Sequence, residues 1–190
     1  MTRLAALLLT VLLVSSCSTA DHNDEDVAFA TDMIEHHAQA IQLANITIGR
    51  TGIDPRIAEL AEEIRLSQTR EIDTMSQWLR DWGEPVPETG FATGDSHSHS
   101  DDPMGSLGEG HTEMPGMMSA EELRALANAP DSEFDALWLR MMVEHHQGAI
   151  TMAQEVQDEG RADDVADLAA DMESAQRVEV KDMQRWLDAV

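Results

Sequence analysis

The chain of 190 residues is long enough for one domain with one core, and it sets 37 Asp and Glu against 12 Lys and Arg, a formal net charge of −25 at pH 7. Such a surface repels phosphate backbones, which excludes nucleic acid as a partner, and it attracts cations weakly and without selectivity. Met is plentiful at 12 while Tyr is absent, and only the positions of the methionines can separate ligands from core filler.

At the N-terminus Arg3 precedes an apolar run from Leu4 to Val14, too short to span a membrane and shaped like a secretory signal over residues 1–16. Val14-Ser15-Ser16-Cys17 resembles a bacterial lipobox, in which cleavage leaves Cys17 as a lipidated N-terminus. The plainer alternative is an ordinary signal peptide with a chance cysteine. The lipobox places the mature protein outside the cytoplasm, anchored to a membrane through a short tether over residues 17–23. Cys17 is the only cysteine, so a metal site must draw on His, Met, carboxylate or backbone groups.

Residues 24–190 read as one all-α domain. Apolar residues at helical spacing predict a first helix from Asp24 to Gly49. Asp54-Pro55 reads as an N-cap followed by proline at the first helical position, opening a second helix that Gly83 and Pro85 stop after Trp82. Residues 83–118 lack periodicity and are rich in Gly, Ser, Pro, Asp and His, which predicts a mobile linker. Ser119-Ala-Glu-Glu122 resembles a capping box opening a short helix over residues 119–130. Two long helices follow, Ser132 to Glu159 and Arg161 to Leu187, broken at Gly160.

The two hairpins, 24–82 and 131–190, are copies. At an offset of 109, Phe29, Met33, Glu35, His36, Ala40 and Ile41 match Trp138, Met142, Glu144, His145, Ala149 and Ile150. At an offset of 108, Gln68, Glu71, Met75, Trp78 and Leu79 match Gln176, Glu179, Met183, Trp186 and Leu187. One hairpin cannot cover its own apolar stripe, so two of them predict a four-helix bundle.

At about 100° per residue, His36 falls inside the apolar arc of the first helix and His37 at its edge, while Glu35, Gln39 and Gln42 point away. His145 and His146 repeat this in the second copy. Glu71 and Glu179 sit within the apolar stripes of the partner helices, where a carboxylate needs a partner. Setting Phe29 level with Trp78, and Trp138 with Trp186, brings Glu71 opposite His36 and Glu179 opposite His145. It also brings Met75 opposite Met33 and Met183 opposite Met142.

The candidate metal ligands are therefore Met33, His36, His37, Met142, His145 and His146, with Met75 and Met183 near and Glu71 and Glu179 orienting the imidazoles from behind. Thioether with imidazole suits Cu(I) or Ag(I), and His-rich faces also accept Cu(II). The bland alternative is a packing core in which Glu–His pairs only specify the fold. In the linker His97, His99, Met104, His111, Met114, Met117 and Met118 form a second candidate ligand set, against the alternative of a solvated spacer.

The repeated Met-Ile/Val-Glu-His-His with Ala-Ile behind it, the Gln-x-x-Glu and Met-x-x-Trp-Leu of each partner helix, and Met-Pro-Gly-Met before the second copy resemble the domain of unknown function 305 family. The resemblance implies a ferritin-like bundle exported from the cytoplasm, with some relatives associated with copper binding and copper tolerance. By the family pattern His36, His37, His145 and His146 carry over, with Met33 and Met142 beside them. One departure stands out: "HHAQAI" carries Gln39 where "HHQGAI" carries Gly148, which implies a less close backbone approach in the first copy.

The preferred reading is a membrane-anchored copper-binding lipoprotein, not an enzyme, that sequesters copper or hands it to a copper-handling protein. The main rival is a ferritin-like dinuclear metalloenzyme using Fe, Mn or Zn with Glu71 and Glu179 as direct ligands. Against it, the residue three before each leading His is Met rather than Glu. Non-covalent haem ranks third, and a metal-free interaction bundle is the remaining alternative. Oligomeric state and delivery partner are not encoded in any motif of the chain.

Overall fold

The computed structural model describes residues 21–89 and 114–189, and every regular element among them is helical. In chain order these are α1 (Asp24–Asn45), α2 (Pro55–Trp82), α3 (Ala120–Ala127), α4 (Asp131–Glu159) and α5 (Asp163–Leu187). None of them is long and apolar enough to cross a membrane.

Local capping chemistry sets several of the boundaries. The Asn23 side chain accepts from the Asp26 amide at 3.0 Å while Asp26 accepts from the Asn23 amide at 2.8 Å, a reciprocal box that opens α1. Asp54 caps α2 ahead of Pro55, and Gly83 closes it at φ +81°, a conformation a side chain would strain. Ser119 and Glu122 form the box that opens α3. α1 stops at Asn45, short of the expected Gly49, because residues 46–49 turn off the helix axis.

α1 packs on α2 and α4 on α5, and the two hairpins meet along α1 and α4. Leu43 lies against Trp138, and its carbonyl accepts the Trp138 indole N–H at 3.0 Å. Phe29 lies near Val156 at the other end of the interface, so α1 and α4 run antiparallel and the copies are related by an approximate two-fold axis. The core divides into two apolar clusters. One gathers Leu43, Leu60, Ile64, Phe134 and Trp138; the other gathers Phe29, Ile34, Leu79, Val156 and Val165. Burying a side chain such as Phe134 or Trp138 contributes about 2–3 kcal/mol by area alone.

Two buried or half-buried aspartates at matching positions latch the hairpins together. Asp26 is fully buried and takes the amides of Arg161 and Ala162, at the turn that leads into α5. Its counterpart Asp135 takes the amide of Asp54, at the turn that leads into α2. Arg50 completes the second latch, donating to the Ala127 and Ala129 carbonyls and lying 4.0 Å over the Phe134 ring.

Two expectations need correction. Gln39 and Gln42 do not face solvent; they are 2% and 6% exposed. The segment expected as loose linker up to Met118 is not loose at its end. Residues 114–118 lie across α1 and α4 as a non-helical strap, and α3 then covers one end of the same face. The burial of Gln39 and the order of the strap have one cause, because Gln39 supplies the polar partners that the strap backbone needs.

Candidate functional site

At the crossing of α1 and α4 the His36 and His145 rings meet, with centroids 3.9 Å apart and planes tilted by 42°. All four histidines of the duplicated motif are enclosed, with His36, His37 and His146 at 0% exposure and His145 at 1%. Consecutive helical residues point about 100° apart, so the two members of each pair meet different neighbours. The first faces its symmetry mate, and the second faces the helix of its own hairpin.

His37 Nε2 therefore donates to Glu71 Oε2 at 2.7 Å, and His146 Nε2 donates to Glu179 Oε2 at 2.8 Å. Both carboxylates sit at the bundle margin, with side chains 22% and 23% exposed. This corrects the expected pairing of Glu71 with His36 and of Glu179 with His145. The carboxylates hold the second histidine of each pair, because α4 occupies the direction that His36 faces.

His36 Nε2 donates instead to the Pro115 carbonyl at 3.0 Å. Burial, reinforced by the neighbouring His37, lowers its pKa to about 3, so the ring is neutral at ordinary pH. With the proton on Nε2, the Nδ1 of His36 keeps its lone pair. His145 is also pushed well below its ordinary value, by burial first and then by His36.

Among the described residues no well-formed hydrogen bond reaches the Nδ1 of His36, His37, His145 or His146, nor the Nε2 of His145, whose one polar neighbour is the backbone of His36. Five unpartnered imidazole nitrogens at the centre of one small bundle is a costly arrangement, since each buried unsatisfied polar atom forfeits about 1–3 kcal/mol. Where such a nitrogen carries a lone pair and not a proton, as only one of the two on His145 does, it is what a borderline metal ion takes from histidine.

The methionines flank this centre on both sides. Met33 and Met75 belong to one apolar cluster, Met142 and Met183 to the other, and all four are fully buried. Met33 thus shares a cluster with Met75, and Met142 with Met183, while the fold keeps Met33 and Met142 apart. The strap repeats the division, with Met114 packing on the first cluster and Met118 built into the second. Met117 is half-buried. His97, His99, Met104 and His111 lie outside the described residues, as does Cys17. Among the described residues no three of His, Cys, Asp and Glu converge as a ready metal cage. That holds for the four histidines as much as for the carboxylates; what suits a soft or borderline ion is the donor chemistry of the unpartnered nitrogens and of the thioether sulphurs.

Three contributors escaped the sequence reading: the Pro115 carbonyl, and the glycines that let it approach. A Cβ on Gly148 would stand 1.9 Å from the Pro115 oxygen, and one on Gly116 would stand 2.5 Å from the Glu144 oxygen. The signal was present in the Gln39/Gly148 difference. Gly148 admits the strap by leaving space, and Gln39 holds it by hydrogen bonds to both the amide and the carbonyl of Met118, at 2.7 and 2.8 Å.

An all-α bundle of two similar hairpins, closed on a buried histidine pair, defines the class of the protein. The chain matches the family described as domain of unknown function (DUF305) over residues 26–187, and it belongs to that family. A DUF305 fragment from Deinococcus radiodurans is similar at 29% identity and a TM-score of 0.72, covering 88% of this chain and 98% of that one. A family protein from Streptomyces coelicolor, regarded as secreted, is 30% identical with a TM-score of 0.66, over 84% and 89% of the two chains. CopM is 28% identical in its Cu(II)-bound form, with a TM-score of 0.67 over 86% of this chain and 96% of that one, and it has also been solved with Cu(I) and with silver. An uncharacterised protein of Acanthamoeba polyphaga mimivirus, L153, is 40% identical over 55 residues, which span 29% of this chain and 36% of that protein.

Proposed function

We propose that this protein binds copper outside the cytoplasm, holding it or handing it on, through the buried histidines of its duplicated motif. The observation that carries this reading is the set of unpartnered nitrogens on His36, His37, His145 and His146. Glu71 and Glu179 hold the Nε2 proton of His37 and His146, which leaves Nδ1 of each ring as the ligating atom. Met33 and Met75 on one side, and Met142 and Met183 on the other, offer thioether sulphur to Cu(I). The Cu(I)-, Cu(II)- and silver-bound states of CopM support the choice of ion. Export through the signal over residues 1–16, with lipid on Cys17 holding the domain at a membrane, completes the proposal. His97, His99, Met104 and His111 serve in it as capturing ligands ahead of the bundle, and Met114, Met117 and Met118 as further thioethers carried by the strap. The dinuclear Fe, Mn or Zn alternative asks Glu71 and Glu179 to ligate directly, and each already accepts a histidine N–H.

The test is an anaerobic Cu(I) titration of the domain from Ser18 onward against a chromophoric chelator. It is run beside a variant with His36, His37, His145 and His146 all changed to Ala, and beside M33L/M142L. Tight binding that collapses in the still-helical four-histidine variant, and weakens in the methionine variant, is the expected result. Equal binding by all three proteins would remove the bundle from copper binding.

A further inference from the structure

His36 and His145 are enclosed on every side, so an ion can reach them only if something moves. The four long helices interlock through two apolar clusters, and parting them means exposing residues such as Phe134 and Leu79. The strap is held differently. Residues 114–118 have no helical hydrogen bonding, and Pro115 is exposed on its outer side. Three hydrogen bonds fix the strap to the bundle centre: one from His36 to the Pro115 carbonyl, and two between Gln39 and Met118. The remaining hold is the fit of its backbone into the space left by Gly148 and Gly116, with the Met118 side chain in one apolar cluster and Met114 against the other.

We propose that the strap of residues 114–118 is the gate and positioning element of the histidine pair, through which an ion gains access to His36 and His145. The inference rests on the copper reading of those histidines. In the closed state the Pro115 carbonyl keeps the proton of His36 on Nε2 and directs the bare Nδ1 into the bundle. When the strap lifts, Nε2 loses that acceptor and both rings become accessible from the face that Gln39 and Gly148 share. Lifting also draws Met114 and Met118 out of the two clusters that hold the other methionines, so soft ligands move with the gate. Gln39 and Gly148 are the residues that set how firmly it closes.

Two substitutions loosen the strap by different means. Gln39→Leu removes both hydrogen bonds to Met118, and Gly148→Ala drives a methyl group into the Pro115 carbonyl. Hydrogen exchange on the metal-free domain should show the amides of residues 116–118 opening faster than the centres of α1 and α4. Carbethoxylation of His36 and His145 by diethyl pyrocarbonate, read by peptide mass spectrometry, measures access without any metal. Transfer of Cu(I) from a chromophoric chelator, followed by stopped flow, measures it with the ion.

In variants that retain parental helicity, both rates should rise by roughly tenfold or more, the scale set by losing one or two hydrogen bonds. Strap amides as protected as the bundle core, or folded variants in which neither histidine is modified faster, would overturn the gate. If the parent takes up no Cu(I), the copper reading fails while the carbethoxylation rates still decide the gate. If carbethoxylation accelerates but Cu(I) transfer does not, ions reach the site by another path and the proposal is wrong.

Discussion

Lowering the pH of the metal-free domain from about 7.5 to about 5 should destabilise it through the histidines at its centre. The pKa of His36 is lowered from 6.5 to about 3 because burial disfavours the imidazolium, with a further push from His37. Between those two values the unfolded chain carries a proton at this position that the folded chain refuses. The stabilisation is therefore complete above 6.5 and is lost as the pH falls toward 3. About 1.5 units below the unfolded value, at roughly 1.4 kcal/mol per unit, His36 alone accounts for a loss of about 2 kcal/mol. His145 is shifted in the same direction, mainly by burial, and adds to the loss. Against a typical total of about 5–15 kcal/mol, that is a change urea denaturation resolves easily. The midpoint of the domain from Ser18 onward should fall across this range, and that of H36Q/H145Q should stay nearly level. Relief of the acidic surface charge works in the opposite sense, but the carboxylates protonate mostly below this window. A parent whose midpoint holds or rises, or a variant with an unchanged slope, would refute the account of a neutral, protected pair.

The carboxylates behind the histidines should matter for affinity more than for fold. E71A and E179A each leave an imidazole without its acceptor and should weaken Cu(I) binding by about 10- to 100-fold in chelator competition; an unchanged constant would show that the pairs only support packing. The two latching aspartates should rank by the amides they hold. D26A removes the capping box and the acceptor for Arg161 and Ala162, a loss of about 3 kcal/mol, whereas D135A removes one backbone acceptor and should cost about 1 kcal/mol. Thermal unfolding of the two variants decides it, and equal costs would contradict the assignment.

The features legible in the sequence are those decided within a few residues or by repetition. Asp54-Pro55 and Ser119 with Glu122 open helices where their local hydrogen bonding predicts, because capping involves only neighbouring groups. The duplication exposed the histidines, since a match of Met, His and Glu at fixed spacing does not depend on knowing the fold. What stayed hidden was set by partners far along the chain. Whether Glu71 meets His36 or His37 depends on which neighbour each side of α1 encounters, and α4 claims His36. The burial of Gln39 depends on Met118, and that of Asp26 on Arg161, separations of 79 and 135 residues that no local pattern spans.

The two copies diverge where the strap crosses the axis between them, and the divergence bears on function. An exact two-fold arrangement would give His36 and His145 the same partners. A single strap crossing the axis can serve only one of them well, so His36 receives the Pro115 carbonyl, while among the described residues His145 has only the His36 backbone near it and no well-formed hydrogen bond. A folding core gains nothing from such a residue. Leucine in its place would bury comparable volume without a polar atom to satisfy. Residues that break the rules of stable packing without a local return are candidates for a site, and His145 breaks them where α1, α4 and the strap meet. On the copper reading proposed above, His145 is therefore the imidazole whose lone pair is most available to an arriving ion, and the strap that leaves it poorly partnered is also what covers it.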